Sequence, residues 1–230
     1  ERGLAETRTQ AQALILAGQV LVDGRRADKA GQAVPVTSQV QVLARLPYVS
    51  RGGLKLAAAL DGFEIRVEGC VCLDVGASTG GFTDCLLQRG ARRVYAVDVG
   101  VGQLDWKLRN DPRVVVKEGL NARYLRREDL GERVDLAVCD VSFISVRLVL
   151  PALAAVLKET GEMVILVKPQ FEAGRGQVGK GGIIRDAAVR EAACARVEEA
   201  LRQLGFRTSL MESPVPGAEG NLEFLLYARH

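Results

Sequence analysis

Short apolar runs recur along the chain from about Leu56, and stretches with helical periodicity separate them. The runs are Val71–Val75, Val94–Val97, Val114–Val116, Leu136–Cys139 and Met163–Val167. Short apolar strands that alternate with helices predict a parallel sheet covered by helices on both faces. Two later segments, Phe206–Met211 and Glu223–Tyr227, predict a closing hairpin. The predicted fold class is therefore α/β, with a doubly wound, mostly parallel sheet.

The first 46 residues follow a different pattern, which predicts a small α+β unit. Its predicted elements are a helix capped by Thr7 that runs to about Leu16 and is ended by Gly18, strands at Val20–Val22 and Val40–Val42, and a hairpin turn at Asp23-Gly24. Residues 47–55 then combine a proline, two adjacent glycines and two cations, which predicts a linker. We therefore divide the chain into residues 1–46, a linker at 47–55 and a larger domain at 56–230.

Cysteine and histidine usage limits the chemistry that this chain can carry. The five cysteines are odd in number and include no C-x-x-C pair, so we interpret them as reduced thiols of a cytoplasmic protein. The one histidine is His230, which almost excludes a histidine-based zinc site or a Ser–His–Asp triad, and we predict no metal. The sequence contains no run of ~18 apolar residues, so it predicts no membrane span. The net charge of +3 is compatible with a polyanionic partner without requiring one.

A glycine-rich segment, Asp74–Thr83 (DVGASTGGFT), follows the first strand of the predicted sheet. Its glycines let the backbone turn sharply and approach a ligand, and a helix that starts near Phe82 would aim its free amides at that ligand. Asp98 ends the second strand, where an acid can bind a ribose diol. The residues predicted to bind a nucleotide cofactor are Asp74, Gly76, Ser78, Thr79, Gly80, Gly81, Phe82, Asp98 and Asn121.

Two kinds of cofactor use this design, and the sequence favours S-adenosylmethionine over a nicotinamide dinucleotide. Ser78 stands where a dinucleotide fingerprint has its middle glycine, which lets the pyrophosphate approach the backbone. Asp74 also fits a methionine ammonium or sulfonium better than a pyrophosphate. A glycine-rich turn without a ligand is the simpler alternative. Asn121 follows the third strand, where it could bond the adenine or merely form a turn.

Four charged residues lie at strand ends or close to them: Lys55, Asp140, Lys168 and Glu223. A ribose hydroxyl is a poor nucleophile and needs a base, and a lysine held near other cations can serve as one. Asp140 and Glu223 would then orient the two lysines. The sequence D-V-S-F follows the fourth strand instead of the N/D-P-P-[YF] platform typical of N-methylating enzymes, which favours oxygen as the acceptor. Solvated charges at strand ends are the alternative.

Five sequence blocks together resemble the TlyA/hemolysin A family of FtsJ-like ribosomal RNA 2′-O-methyltransferases. The blocks are Tyr48–Leu56 (YVSRGGLKL), Asp74–Thr83 (DVGASTGGFT), Cys139–Ser145 (CDVSFIS), Leu166–Glu172 (LVKPQFE) and Gly181–Asp186 (GGIIRD). The resemblance implies a class I (Rossmann-like) methyltransferase domain after an RNA-binding module of the S-four (αL) type. Because the usual first helix of that module is mostly absent, we expect an N-terminally truncated module. The family's K-D-K-E catalytic tetrad corresponds to Lys55, Asp140, Lys168 and Glu223.

The resemblance further implies a cytidine ribose of ribosomal RNA as the acceptor, and ribosomal RNA or ribosomal subunits as the partner. It also implies that the linker around Arg45–Val49 moves when RNA binds. A glycine-rich segment, Glu172–Asp186, is interpreted as a lid or as an ordinary surface loop. The basic residues predicted to contact RNA are Arg8, Arg25, Arg26, Lys29, Arg51, Arg175 and Lys180, each of which could equally be a solvated charge.

Three other functions are compatible with parts of the sequence. They are a hemolytic pore-former, a dehydrogenase on the same fold, and an RNA-binding assembly factor without catalytic activity. The absence of a predicted membrane span disfavours the first function, Ser78 disfavours the second, and the four charged residues disfavour the third.

Overall fold

The computed structural model of the chain describes residues 2–5, 7–16, 20–27, 29–42, 47–174, 176–217 and 220–230. The chain divides into two compact units, Glu1–Pro47 and Tyr48–His230. Each unit is described by itself.

The smaller unit is a helix followed by a three-stranded antiparallel sheet. Its elements are α1 (Arg8–Leu16), β1 (Val20–Val22), β2 (Arg25–Arg26) and β3 (Val40–Val42), with β1 in the middle of the sheet. Asp23 and Gly24 have φ angles of +49° and +78°, the left-handed pair that a two-residue hairpin between twisted strands requires. The predicted helix, strands and turn are confirmed, whereas Gly18 lies outside the described residues.

The larger unit contains a seven-stranded sheet. Its strands are β4 (Val71–Val75), β5 (Arg93–Asp98), β6 (Val114–Glu118), β7 (Val134–Cys139), β8 (Leu157–Val167), β9 (Arg207–Glu212) and β10 (Phe224–Arg229). The order is β6-β5-β4-β7-β8-β10-β9, in which the first five strands are parallel and β10 runs antiparallel between β8 and β9. This arrangement confirms the predicted doubly wound, mostly parallel sheet with a closing hairpin.

Helices cover both faces of this sheet because its strands are apolar on both sides. They are α2 (Gly52–Gly62), α3 (Gly81–Gln88), α4 (Trp106–Arg109), α5 (Arg127–Leu130), α6 (Leu150–Val156), α7 (Pro169–Glu172) and α8 (Ala187–Gln203). Along β4, Leu73 packs into a cluster with residues of α6 and α8, whereas its neighbour Cys72 packs into a second cluster with residues of α2 and α3. Burial of both clusters holds the strand ends in fixed positions.

The structure differs from the sequence prediction at residues 47–55. The predicted linker ends earlier, because α2 begins at Gly52 and Lys55 lies within its first turns. Gly53 fits there because the Tyr48 ring packs directly on its α-carbon, where a Cβ atom would overlap the ring. Gly52 and Gly53, which were assigned to a linker from the sequence, therefore begin a helix. Gly53 packs there against Tyr48.

Candidate active site

The carboxyl ends of β4, β5, β6 and β7 surround a cavity of about 470 Å³. Strand order reverses between β4 and β7, and open α/β sheets bind ligands in the crevice at such a point. Residues at the ends of these strands or shortly after them line the cavity, among them Gly76, Asp98, Asn121 and Asp140. Three of the residues predicted to bind the cofactor, Gly76, Asp98 and Asn121, thus line one cavity together with Asp140.

The glycine-rich loop approaches its neighbours so closely that larger residues do not fit. Gly76 has a φ of +80°, and a Cβ atom there would overlap the main-chain carbonyl of Asp140. Gly80 has a φ of +97° and packs against the side chains of Leu104 and Leu108. A Cβ atom at Gly81, the first residue of α3, would overlap the Ser50 hydroxyl. Because its glycines lack side chains, the loop leaves the crevice open, and the main chain of the loop faces the crevice.

Asp98 is held by two main-chain amides at the wall of this cavity. Its Oδ2 accepts a hydrogen bond from the Ser78 amide at 2.8 Å, and its Oδ1 accepts one from the Gly100 amide at 2.7 Å. Asn121 also lines the cavity, and its side-chain oxygen caps the short 3₁₀ helix that follows by accepting from the Arg123 amide at 3.1 Å. Asn121 therefore forms a turn and also lines the cavity.

Asp74 lies beneath the loop and is fully buried, so its side chain lines neither this cavity nor its neighbour. The Thr83 hydroxyl donates to Asp74 Oδ2 at 2.6 Å, but Oδ1 has no hydrogen-bond partner among the described residues. Burial raises the pKa of Asp74 to about 7, and the Thr83 hydrogen bond opposes part of that rise. A buried acceptor without a donor is costly and is a group that a cation could stabilise.

A second cavity of about 250 Å³ adjoins the first, since both are lined by Gly76, Ser78 and Asp140. Its other lining residues are Ser50, Arg51, Gly52, Lys55, Ala77, Thr79, Gly81 and Phe82. This cavity therefore joins the predicted cofactor loop to Lys55 and Asp140, two of the four predicted catalytic residues.

The four predicted catalytic residues form two lysine–carboxylate pairs. Lys55 Nζ lies 2.5 Å from Glu223 Oε2, and the two side chains are 11% and 2% exposed. Lys168 Nζ lies 2.5 Å from Asp140 Oδ1, with side chains 10% and 23% exposed. Ion pairs this close in a site of low exposure hold both amines in defined directions. Such an arrangement can orient a hydroxyl group and move a proton from it.

Two residues of this region were not predicted from the sequence. Ser142 Oγ accepts a hydrogen bond from Lys168 Nζ at 2.7 Å and is a second partner of that amine. Phe143 is 89% exposed at the cavity wall and has a φ of +67°, a left-handed conformation that bulky residues rarely adopt. Its ring lies 5.4 Å from the ring of Phe171. Both residues belong to the D-V-S-F sequence. In the sequence alone, D-V-S-F served only as an argument against the platform of N-methylating enzymes.

The predicted RNA-binding residues lie in several parts of the chain. In the smaller unit, Arg8, Arg25, Arg26 and Lys29 are exposed. In the larger unit, Arg51 is exposed and lines the second cavity. Arg175 and the side chain of Lys180 lie outside the described part of the structure. These seven assignments remain predictions.

The sheet order, the glycine-rich loop at its switch point and the adjoining cavities define a class I methyltransferase fold. The model of the FtsJ-like methyltransferase family matches residues 48–230, and that of the S4 domain matches residues 1–40. The chain belongs to the FtsJ-like methyltransferase family, preceded by an S4 domain.

Curated relatives match along nearly the whole chain. The 16S/23S rRNA (cytidine-2′-O)-methyltransferase TlyA of Mycobacterium tuberculosis is 51% identical and covers 99% of this chain and 86% of its own. Hemolysin A of Brachyspira hyodysenteriae is 45% identical and covers 98% and 95%. The solved structure of a Streptococcus thermophilus protein has a TM-score of 0.81 at 47% identity and covers 99% of this chain and 84% of its own. Within the described residues, no helix is both long and apolar enough to cross a bilayer.

Proposed function

We propose that this protein transfers a methyl group from S-adenosylmethionine to a ribose 2′-hydroxyl of ribosomal RNA, with a cytidine as the acceptor. The observation that carries the proposal is the pair of lysine–carboxylate contacts, Lys55–Glu223 and Lys168–Asp140, next to the cavity lined by Asp98 and Asn121. The TlyA relative, whose name gives this reaction, supports the same acceptor.

The residues around the larger cavity fit S-adenosylmethionine. Asp98 would accept hydrogen bonds from the ribose diol, and Asn121 would contact the adenine. The Gly76 turn would let the methionine part approach the backbone. Asp74 lies beneath that turn and its side chain lines neither cavity, so it would favour a positively charged ligand without touching it. When bound, S-adenosylmethionine supplies an electrophilic methyl group on its sulfonium.

Lys168 is proposed as the group that, once its own ammonium proton has passed to solvent, takes the proton of the ribose hydroxyl. Asp140 and Ser142 direct its amine, and Asp140 stabilises the ammonium that forms when the proton arrives. Lys55 lines the same cavity as Asp140 and is held by Glu223, so it is placed to donate a hydrogen bond to the acceptor oxygen. In-line displacement depends on such positioning, because the reacting atoms must meet at a defined angle.

The S4 domain and the basic residues are proposed to bring RNA to this site. Arg8, Arg25, Arg26 and Lys29 are exposed on the smaller unit and would contact phosphates, together with Arg51, Arg175 and Lys180 of the larger unit. Phe143, exposed at the cavity wall, offers a flat apolar face on which a base that has left its stack could pack.

The role of Lys168 is tested by the Lys168→Ala variant with labelled S-adenosylmethionine and ribosomal subunits. We expect the methylation rate to fall by roughly 10²- to 10⁴-fold, because a general base contributes about that much, while the affinity for RNA stays unchanged. Lys158→Ala is the matched control, since Lys158 lies near the opposite end of the same strand and pairs with Asp135. A Lys168→Ala variant with the wild-type rate would refute the assignment.

The acceptor is tested on the methylated RNA itself. Alkaline cleavage of RNA requires a free 2′-hydroxyl, so a methylated ribose leaves one bond of the RNA resistant to alkali, whereas methylation of a base nitrogen does not. We expect one resistant position in RNA treated with the wild-type protein and none after Lys168→Ala. Calorimetry with S-adenosylhomocysteine and NAD tests the cofactor, and tighter binding of NAD would contradict the proposal.

A further inference from the structure

Glu172 is a buried carboxylate to which neither the sequence patterns nor the proposed chemistry gives a role. It is the last residue of α7, four residues after Lys168, and its side chain is 2% exposed. A carboxylate removed from water in this way is costly unless donors compensate it. The identity of those donors indicates what Glu172 does.

Within the described part of the chain, the hydrogen bonds to the Glu172 side chain all come from one short segment that follows Asp140. Oε1 accepts from the main-chain amide of Val146 at 2.6 Å. Oε2 accepts from the Ser145 hydroxyl at 2.6 Å and from Arg147 Nε at 3.2 Å. Val146 begins a 3₁₀ helix to which the Ser145 side chain gives no capping hydrogen bond, so Glu172 caps that helix from a different strand connection.

The segment that Glu172 holds, residues 140–147, carries several groups of the site. It includes Asp140 and Ser142, both in contact with the Lys168 amine, and Phe143 at the cavity wall. Phe143 adopts a left-handed φ of +67°, which persists only where surrounding contacts enforce it. On α7, Phe171 packs against Phe143 beside the Glu172 contacts. The helix is thus attached to residues 140–147 at two places.

We propose that Glu172 is a positioning residue, which fixes residues 140–147 against α7 so that Asp140 and Ser142 both face the Lys168 amine. The inference rests on the function proposed above. Lys168 directly follows β8 and Asp140 directly follows β7, so each is carried by its own loop. Glu172 joins those two loops through Ser145, Val146 and Arg147 and fixes the distance between them.

The test compares Glu172→Gln with wild type in the ribosomal RNA methylation assay. The rate is expressed per binding site, counted by titration with S-adenosylhomocysteine, so that loss of folded protein does not count as loss of catalysis. A glutamine keeps the size of the side chain but removes its charge. Its NH₂ group is itself a donor, so that group cannot accept the hydrogen bonds that the donors make to the carboxylate. We expect kcat to fall by roughly 10- to 100-fold, because small misplacements of reacting groups cost that much, with KM for RNA changed less than about threefold.

The matched control is Glu132→Gln. Glu132 also accepts from an arginine and a hydroxyl, Arg93 at 2.7 Å and Tyr95 at 3.0 Å, but it precedes β7 and lies at the opposite end of the sheet. We expect its kcat to equal that of wild type. The pH profile of kcat should shift for Glu172→Gln and not for the control, since the surroundings of Lys168 change in the first variant alone.

If Glu172→Gln does not fold, Ser145→Ala serves in its place, because it removes one of the three donors and should lower kcat by a smaller factor. A wild-type kcat and pH profile in Glu172→Gln, or in Ser145→Ala where that variant is used, would overturn the positioning role and leave the proposed function intact. A wild-type protein that binds S-adenosylhomocysteine but does not methylate ribosomal RNA would overturn both.

Discussion

Asp74 combines complete burial with an oxygen atom that lacks a hydrogen-bond donor among the described residues. Burial raises its pKa to about 7 from an ordinary value of 3.8, so the folded protein binds this proton more tightly than the unfolded chain does. The stability that the proton gives is complete below the unfolded pKa and is lost as the pH rises towards the folded pKa.

Asp74→Asn removes this titration. We expect the free energy of unfolding of wild type, relative to the variant, to fall as the pH rises from about 4 to about 7, by at most about 1.4 kcal/mol per pH unit. Urea unfolding at a series of pH values measures it. Asp111→Asn is the control: hydrogen bonds from Arg113 lower the pKa of Asp111, so its contribution to stability is constant from about pH 4 to about pH 7 and is lost only as the pH falls below about 4. A difference between wild type and Asp74→Asn that rises with pH would contradict this account.

At the residue scale, the sequence predicted positions that depend on local pattern and missed those that depend on contacts across the fold. Gly76 and Asp98 could be identified because a strand followed by a glycine-rich turn fixes where they lie. Ser142 and Glu172 could not, since their partners are 26 and 25–27 residues away in sequence. Nothing in a serine or a glutamate alone indicates such a partner.

At the scale of elements, the ion pair of Lys55 and Glu223 links α2 to the strand end at β10. The two residues are 168 positions apart, and both side chains are almost completely buried. Removal of one partner leaves a buried charge without its counter-charge, which is far more destabilising than removal of both. The pair is therefore a structural connection as well as part of the proposed site.

We expect Glu223→Gln to lower the free energy of unfolding by about 3 kcal/mol. The double variant Lys55→Met with Glu223→Gln should recover most of that loss while remaining inactive. Urea unfolding of the two single variants and the double variant gives the coupling energy. The exposed pair Arg202–Glu199 is the comparison, and its coupling should stay below about 1 kcal/mol. Equal coupling energies for the two pairs would contradict the structural role.

Elements were predicted well where apolar residues recur and poorly where they do not. The five core strands and the closing hairpin were found from their apolar runs. β8 is longer than its apolar run because Lys158, Glu159 and Thr160 extend it with exposed side chains. The start of α2 was interpreted as a linker because Gly52 and Gly53 disfavour helices. The packing of Tyr48 on Gly53, which outweighs this preference, could not be predicted from the sequence.

At the scale of the whole molecule, the match of residues 1–40 to an S4 domain and of residues 48–230 to a methyltransferase family predicts a division of labour. All residues proposed to hold the cofactor or to perform chemistry lie in the second part. Four of the seven residues proposed to contact RNA lie in the first. Cofactor affinity and RNA affinity should therefore be separable.

A protein restricted to residues 48–230 tests this division. We expect its Kd for S-adenosylhomocysteine to stay within about threefold of the full chain. Its KM for ribosomal RNA should rise by roughly tenfold or more, with a shallower dependence of RNA binding on salt, because fewer phosphates are neutralised. Calorimetry and filter binding at several salt concentrations provide the measurements. An unchanged KM and salt dependence would show that the larger unit binds RNA alone.

β10 follows every other described strand in sequence, yet in the sheet it lies between β8 and β9. Glu223, the counter-ion of Lys55, comes immediately before it. During translation the chain therefore cannot complete its central sheet, or neutralise Lys55, until residue 223 and the strand after it have left the exit tunnel. Catalytic competence therefore appears late in synthesis, after most of the chain has been elongated.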